Sequence, residues 1–288
     1  MINHKLKFKF EIMKKNLLFV LAIFLATTMS AQLYVGAKLG YGLGANKYEA
    51  GTVMGDKTQS IEWGSMGQGL QIGGKVGYFF NDNIGFELGI DYFMSADGII
   101  ADVNVPTVVN INVIQDVKAK SNQLRLLPQL VMKTDMGAYT RFGVIIPVMG
   151  KTVVTSHKEE VVMAPGPVKM TTDAEMEFSG KFSIGFAGAL GYEYALSDNL
   201  KLFGEIQYTG LTIRGSSSSV TKYEVNGADK LAAMTTIQKE TTFVDELTAT
   251  SNNTTYNASP DAAKAQDVLR SSTVYSSYGF NVGVNFAF

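Results

Sequence analysis

Alternation with a period of two recurs in eight segments of this chain, and it restricts each of them to a β-strand with one apolar and one polar face. The first puts Leu33, Val35, Ala37, Leu39, Tyr41 and Leu43 opposite Tyr34, Gly36, Lys38, Gly40 and Gly42. The second sets Leu70, Ile72, Val76, Tyr78 and Phe80 against Gln71, Gly73, Lys75 and Gly77, and the third sets Ile84, Phe86, Leu88, Ile90 and Tyr92 against Gly85, Glu87, Gly89 and Asp91. In the fourth, Leu124 to Met132, Arg125 and Gln129 share the polar face with the less fitting Leu127 and Val131. Pro128 predicts a local distortion there, because proline cannot donate to a ladder. The fifth places Thr140, Phe142, Val144, Ile146 and Val148 opposite Tyr139, Arg141, Gly143, Ile145 and Pro147. The sixth, Phe182 to Tyr194, carries Glu193 on its polar face. The seventh, Leu200 to Thr209, carries Lys201, Glu205 and Gln207, with Phe203 and Gly204 out of phase. The eighth sets Tyr278, Phe280, Val282, Val284, Phe286 and Phe288 against Gly279, Asn281, Gly283, Asn285 and Ala287.

A soluble antiparallel sandwich would also alternate, so the connections decide. They run long, short, long, short, long, short, long: residues 45–68, 81–83, 95–121, 133–138, 151–179, 197–199 and 212–272. Strands that cross a bilayer up and down, with short turns on one side and long loops on the other, require this order, and a sandwich does not. Each run also matches the roughly 9–11 residues of a tilted spanning strand. Tyr78, Phe80, Phe86, Tyr92, Tyr192, Tyr194 and Tyr208 stand near turns, where an interfacial aromatic girdle belongs. Many of the 29 Gly residues fall inside the alternating segments, a placement that suggests strands that bend or approach closely, as in a closed barrel. No stretch reaches the ~18 consecutive apolar residues of a spanning helix. The predicted fold is all-β, an eight-stranded antiparallel up-and-down transmembrane β-barrel.

Ahead of the first strand, Lys14-Lys15, an apolar run from Leu17 to Ala26 and Ser30-Ala31 follow the basic, apolar, cleavable order of a secretory leader. Residues 1–31 are therefore expected to be an N-terminal extension and signal peptide, cut after Ala31. Residues 32–288 form the barrel domain, with extracellular loops at 45–68, 95–121, 151–179 and 212–272. The alternative is an uncleaved anchor, although the apolar run is short for one. Met13 offers a second translation start. The last connection exceeds a passive turn. Two short helices are expected in it, one within Asp229 to Leu247 and one opened by Ser259-Pro260-Asp261 as N-cap, first-turn proline and first-turn acid.

Composition removes several function classes. A formal net charge of -1 gives no basic excess for phosphates, so no nucleic-acid partner is expected. With 0 Cys there is no disulfide, thiolate metal site or cysteine nucleophile. Beyond the leader the single histidine is His157, and no Gly-x-Ser-x-Gly elbow accompanies it, so no enzyme, metal site or cofactor is expected. If the apolar faces meet lipid, the interior holds Lys38, Lys75, Arg125, Arg141 and Lys201 with Glu87, Asp91, Glu193 and Glu205, a near-balance of charge. Eight strands leave an interior that side chains can fill, and charges there must pair or be solvated.

The Ser-Ala-Gln leader end, the alternating connections and the final Val-Gly-Val-Asn-Phe-Ala-Phe together resemble the small Gram-negative outer-membrane β-barrel family, porin-like or outer-membrane-protein β-barrel domain proteins. The resemblance implies location in the outer membrane, contact with its lipid, and recognition of the last strand by the barrel-assembly machinery. That signal maps onto Phe280, Val282, Val284, Phe286 and Phe288. The expected role is a structural anchor whose surface loops meet an unidentified extracellular ligand, with a lumen closed by ion pairs. A narrow or gated porin-like channel is the alternative, and a lipid-modifying hydrolase using His157 is a weaker one.

Overall fold

A computed structural model describes residues 32–54, 59–108, 111–162 and 166–288, so the leader and its cleavage site lie outside the described residues. Eight strands form the barrel: β1 Gln32–Gly44, β2 Gly69–Phe79, β3 Ile84–Ser95, β4 Ile111–Lys133, β5 Ala138–Val162, β6 Gly185–Ala195, β7 Leu200–Gly210 and β8 Ser277–Ala287. Each pairs antiparallel with its neighbour in the chain order of these labels. The register Tyr34↔Ala287 through Gly44↔Ser277 joins β1 to β8 and closes the ring.

The short turns are built by their side chains. Asn81 Oδ1 accepts from the backbone N–H groups of Asn83 and Ile84 at 3.0 and 2.8 Å, an Asx turn that reverses the chain between β2 and β3. Ser197 Oγ accepts from Leu200 N–H at 3.1 Å, and Asn199 Nδ2 donates to the Ala287 carbonyl at 2.8 Å, tying the β6–β7 turn to β8. Gly137 closes the β4–β5 turn with φ at +93°, a left-handed conformation that costs a side-chain-bearing residue.

The molecule is apolar outside and polar inside. Leu39, Ile72, Ile90, Phe142, Ile206 and Val282 are exposed on the outer surface, while Lys38, Gln71, Glu87, Asp91, Arg141 and Glu205 are buried. Water would penalise that outer surface and lipid does not. Exposed aromatics form two bands. Tyr41, Tyr92, Tyr208 and Tyr278 stand toward the long connections, and Tyr192, Tyr194, Phe286 and Phe288 toward the short turns. The zone between them corresponds to the ~25 Å apolar band of such barrels.

Two phase breaks in the sequence pattern resolve in favour of strict alternation. Phe203 points inward and is 2% exposed, so β7 keeps its period and Gly204 takes the outward position. Leu127 and Val131 are likewise buried inside. The register of β4 with β5 passes from Leu126↔Ile146 to Gln129↔Gly143, skipping Leu127 and Pro128. It also shifts between Leu124 and Arg125, opposite Pro147. Distortion therefore spans two prolines on neighbouring strands instead of one.

Much of what the sequence pattern left as loop is strand. β4 and β5 are 23 and 25 residues long, about twice a spanning strand, and their upper halves stay paired from Asn122↔Lys151 to Ile111↔Val162. Gly98–Val108 adds to β4 on one side, and Val168–Gly180 followed by Thr212–Val225 add beyond β5 on the other. The result is an antiparallel sheet that rises from one side of the barrel mouth. Glu240–Val244 extends it and pairs in parallel with Gln266–Leu269. Tyr48–Met54 and Gln59–Gly64 form a further hairpin.

The helix expectations in 212–272 need correction. Within 229–247 only a single 3-10 turn at Leu231–Ala233 and a four-residue helix at Thr236–Lys239 form before the strand Glu240–Val244. No helix follows Ser259-Pro260-Asp261. There Asn252 takes the backbone groups a helix would need. Its Nδ2 donates to the carbonyls of Asp261, Lys264 and Ala265 at 3.0, 3.2 and 2.9 Å, and its Oδ1 accepts from Asp261 N–H at 2.7 Å. Side-chain capture of this kind competes directly with helical hydrogen bonds.

Candidate functional site

The lumen is layered. At the short-turn end Tyr34, Phe79 and Val131 pack into an apolar floor, with Tyr34 and Phe79 stacked at 5.5 Å between centroids. At the other end Phe93, Leu127, Ile145, Leu211 and Tyr275 belong to an apolar roof that continues under the projecting sheet. Charged side chains fill the middle.

Arg141, 2% exposed, sits at the centre and bonds Glu87 through Nη1 and Glu205 through Nη2. Lys75 Nζ stands 3.1 Å from the other Glu87 oxygen, which also accepts from the Tyr34 hydroxyl at 2.8 Å. Glu205 accepts from the Tyr139 hydroxyl at 2.8 Å and from Asn281 Nδ2 at 2.7 Å. Above this group Lys38 Nζ pairs with Asp91 at 2.7 Å and reaches Gln207 at 3.4 Å. Both partners of each inner pair are nearly fully buried, so each carboxylate relies on a cation and neutral donors together.

Of the nine interior charges expected from the alternation, Lys38, Lys75, Glu87, Asp91, Arg141 and Glu205 are drawn into these contacts. Glu193 and Lys201 lie apart at the short-turn end, 3.9 Å from one another and partly exposed, with Asn285 Nδ2 donating to Glu193 at 2.6 Å. Arg125 is fully buried beside neutral groups. Its Nε donates to Gln123 Oε1 at 2.9 Å, and its guanidinium lies 3.8 Å from the Phe93 ring centroid, a cation–π contact. Phe280, Val282, Val284, Phe286 and Phe288 all face outward on β8 and its end.

Charge counting alone misses the neutral members. Tyr34 and Tyr139 each supply a hydroxyl to a central carboxylate, and Phe203 places its ring centroid 4.1 Å from Lys75 Nζ. A signal for the tyrosines exists in the sequence, since both fall on the inward phase of their strands, with Lys38 and with Arg141. The glycines opposite make room for them. A Cβ on Gly77 would stand 2.2 Å from the Tyr34 ring, and one on Gly191 would stand 2.4 Å from that of Tyr139.

On the projecting sheet, His157 Nδ1 lies 2.6 Å from Asp173, both exposed. Ser156, the neighbouring residue, accepts from Gln115 Nε2 at 3.1 Å, and His157 Nδ1 is engaged by Asp173. The same surface carries Asp116–Lys118 and Lys222–Glu224 pairs at 2.8 and 3.1 Å, a field of mixed sign. Among the described residues no group of three His, Cys, Asp or Glu side chains is placed to hold a metal ion.

A family match agrees with this architecture. A family model described as outer membrane protein beta-barrel domain matches residues 17–288. No curated protein matches the chain. Among solved structures, the outer membrane protein OprG from Pseudomonas aeruginosa is 13% identical, with 90% of this chain and 96% of that chain covered and a TM-score of 0.40. Neisserial surface protein A is 12% identical over 90% of this chain and 100% of that chain, with a TM-score of 0.31. CarO of Acinetobacter baumannii is 15% identical over 88% and 97%, with a TM-score of 0.30.

Proposed function

The chain belongs to the outer membrane protein beta-barrel family, and from that premise we propose that it is an outer-membrane anchor with a closed lumen that holds a stiff exterior sheet out from the membrane for an extracellular partner. The observation that carries this reading is Arg141 bridging Glu87 and Glu205 at the centre of the barrel, between an apolar floor and an apolar roof. An eight-stranded ring has little interior beyond what side chains fill, and here the filling is cross-linked. Opening a path would separate buried ion pairs, at a cost of several kcal/mol each.

The projecting sheet supports the display half of the reading. Its alternating charges, Asp116, Lys118, His157, Asp173, Lys222 and Glu224, suit a polar partner that itself carries both signs. A secretory leader removed after Ala31, and assembly guided by Phe280, Val282, Val284, Phe286 and Phe288, belong to the same proposal.

The test is electrical. The purified chain in planar lipid bilayers is expected to give no steady conductance steps. Reproducible steps whose size changes with Glu87→Ala or Arg125→Ala would overturn the closed-lumen reading in favour of a narrow channel.

A further inference from the structure

The barrel wall is unzipped between β5 and the segment leading into β6. The last rung of the β5–β6 ladder joins Ile145 to Gly185. The next rung along β5, in the same register, joins Thr152 to Phe178 on the strand Val168–Gly180. Between these rungs, residues 146–151 and 179–184 face one another without ladder pairing. Pro147 has no N–H to offer there. Gly150 takes a φ of +152° next to the β4–β5 register shift, and the Lys181 N–H donates to the Arg214 carbonyl at 2.7 Å, directing its segment away from β5.

A cavity of about 380 Å³ lies at this interval, within the size range of small-ligand sites. Its outer lip is Val148, Met149 and Phe182, which are 44%, 69% and 75% exposed on the lipid-facing surface. Its inner wall is Phe178, Ile213 and Tyr275, part of or packed against the apolar roof and separate from the charged network. The slot is therefore apolar along its lip and along this inner wall, with Ser121, Gln123 and Thr152 lining the rest of its inner end, and it is continuous with the belt that already meets lipid. Lys151 and Lys181 stand on its margin beside Glu177 and Asp245.

We propose that this wall opening seats one acyl chain of a phosphate-bearing bilayer lipid, with the headgroup at Lys151 and Lys181. The chain would exchange lipid contacts for protein contacts with no loss of apolar burial, and the lysines would fix its depth. The ordinary barrel surface offers no such inner wall, because there the backbone ladder is closed.

Photo-crosslinking tests this. The full chain is reconstituted in vesicles of phosphatidylethanolamine and phosphatidylglycerol containing a trace of phosphatidylethanolamine with a mid-chain diazirine, and adducts are mapped by peptide mass spectrometry. Adducts are expected on Phe178, Ile213 or Tyr275 as well as on the outward-facing Phe186. Ile213→Trp, which fills the slot, should cut labelling of Phe178 and Tyr275 roughly tenfold and leave Phe186 labelling unchanged. Met149→Glu, at an exposed lip position, should do the same without touching the interior. Adducts confined to outward-facing residues, or inner-wall labelling that survives both substitutions, would overturn the proposal. Loss of inner-wall labelling on adding a little free oleate would overturn the lipid assignment in favour of a soluble amphiphile.

Discussion

Replacing Arg141 with methionine removes the one cation that touches both central carboxylates while keeping a long side chain in its place. Glu87 retains Lys75 at 3.1 Å and the Tyr34 hydroxyl at 2.8 Å. Glu205 retains only neutral donors, Tyr139 at 2.8 Å and Asn281 at 2.7 Å. The damage therefore falls mainly on Glu205, left as a buried charge without a contacting cation. Breaking a buried pair from one side typically costs about 3–5 kcal/mol. With an m-value of about 2 kcal/mol/M, the urea midpoint of Arg141→Met should fall by about 2 M. Unfolding would be followed by tryptophan fluorescence and heat-modifiable gel mobility in detergent micelles. Adding Glu205→Gln to Arg141→Met neutralises the stranded charge and should restore more than half of the lost midpoint, a coupling that independent sites would not show. A single-variant shift below about 0.5 M, which is about 1 kcal/mol, would refute the view that this bridge holds the lumen shut, as would a double variant no more stable than the single one.

Other substitutions probe the supports of that bridge and the exterior. Tyr139→Phe keeps the ring and removes the hydroxyl bond to Glu205, so it should destabilise by about 1.5–3 kcal/mol, read from the same urea curves. Gly191→Leu forces a side chain into the Tyr139 ring and should cost at least about 1–3 kcal/mol, with Gly204→Ala, where nothing lies within 4 Å, as the neutral control. His157→Ala, at an exposed pair, should leave the midpoint within about 0.5 kcal/mol of wild type, and a larger loss would mean the projecting sheet depends on that contact. Asp245 joins the last connection to the sheet through Arg214 and Arg270, and the Arg270 hydrogen bond holds its carboxyl below the usual range. A folded value below the unfolded one means its contribution is present above about pH 3.9 and is lost as pH falls through the folded value. A nitroxide on Ser259→Cys, unique in a chain with 0 Cys, should become mobile only in strong acid in wild type and be mobile at every pH in Asp245→Asn.

The barrel was legible because lipid on one side and a packed polar lumen on the other impose the sharpest two-face contrast a strand can carry. That contrast placed Lys38, Lys75, Glu87, Asp91, Arg141 and Glu205 inside, but it could not say which would touch, since contacts form across strands far apart in sequence. Arg141 and Glu205 are 64 residues apart. The projecting strands were harder to read because both of their faces are wet in part. Residues 169–178 do alternate, with Lys169, Thr171, Asp173, Glu175 and Glu177 against Met170, Thr172, Ala174, Met176 and Phe178. Two of the five positions on the second face are threonine and alanine, so apolar contrast alone passes over the strand. The expected helix after Ser259 failed for a reason outside its own window, the capture of its backbone by Asn252.

The length of β4 and β5 would link the proposed closed lumen to the proposed display role. Their lower halves are fixed by the ring, and their upper halves continue in the same antiparallel ladder up to Ile111↔Val162, past the skip at Leu127–Pro128 and the shift near Arg125. A ladder continuous from bilayer to exterior transmits the rigidity of the barrel to the sheet, whereas a connection of similar length without strands would have to be ordered on binding. Ordering flexible segments costs about 0.5–1.5 kcal/mol for each immobilised side chain, so a preformed sheet gives a partner tighter binding for the same contacts. The weak joint in this support is the edge of residues 146–151 that faces 179–184 without ladder pairing, where the wall opens and the sheet meets the barrel. Whatever fills that opening stiffens the sheet above it. Lipid in the wall and partner binding at the sheet should therefore be coupled, and delipidated protein should bind its partner more weakly than protein in vesicles.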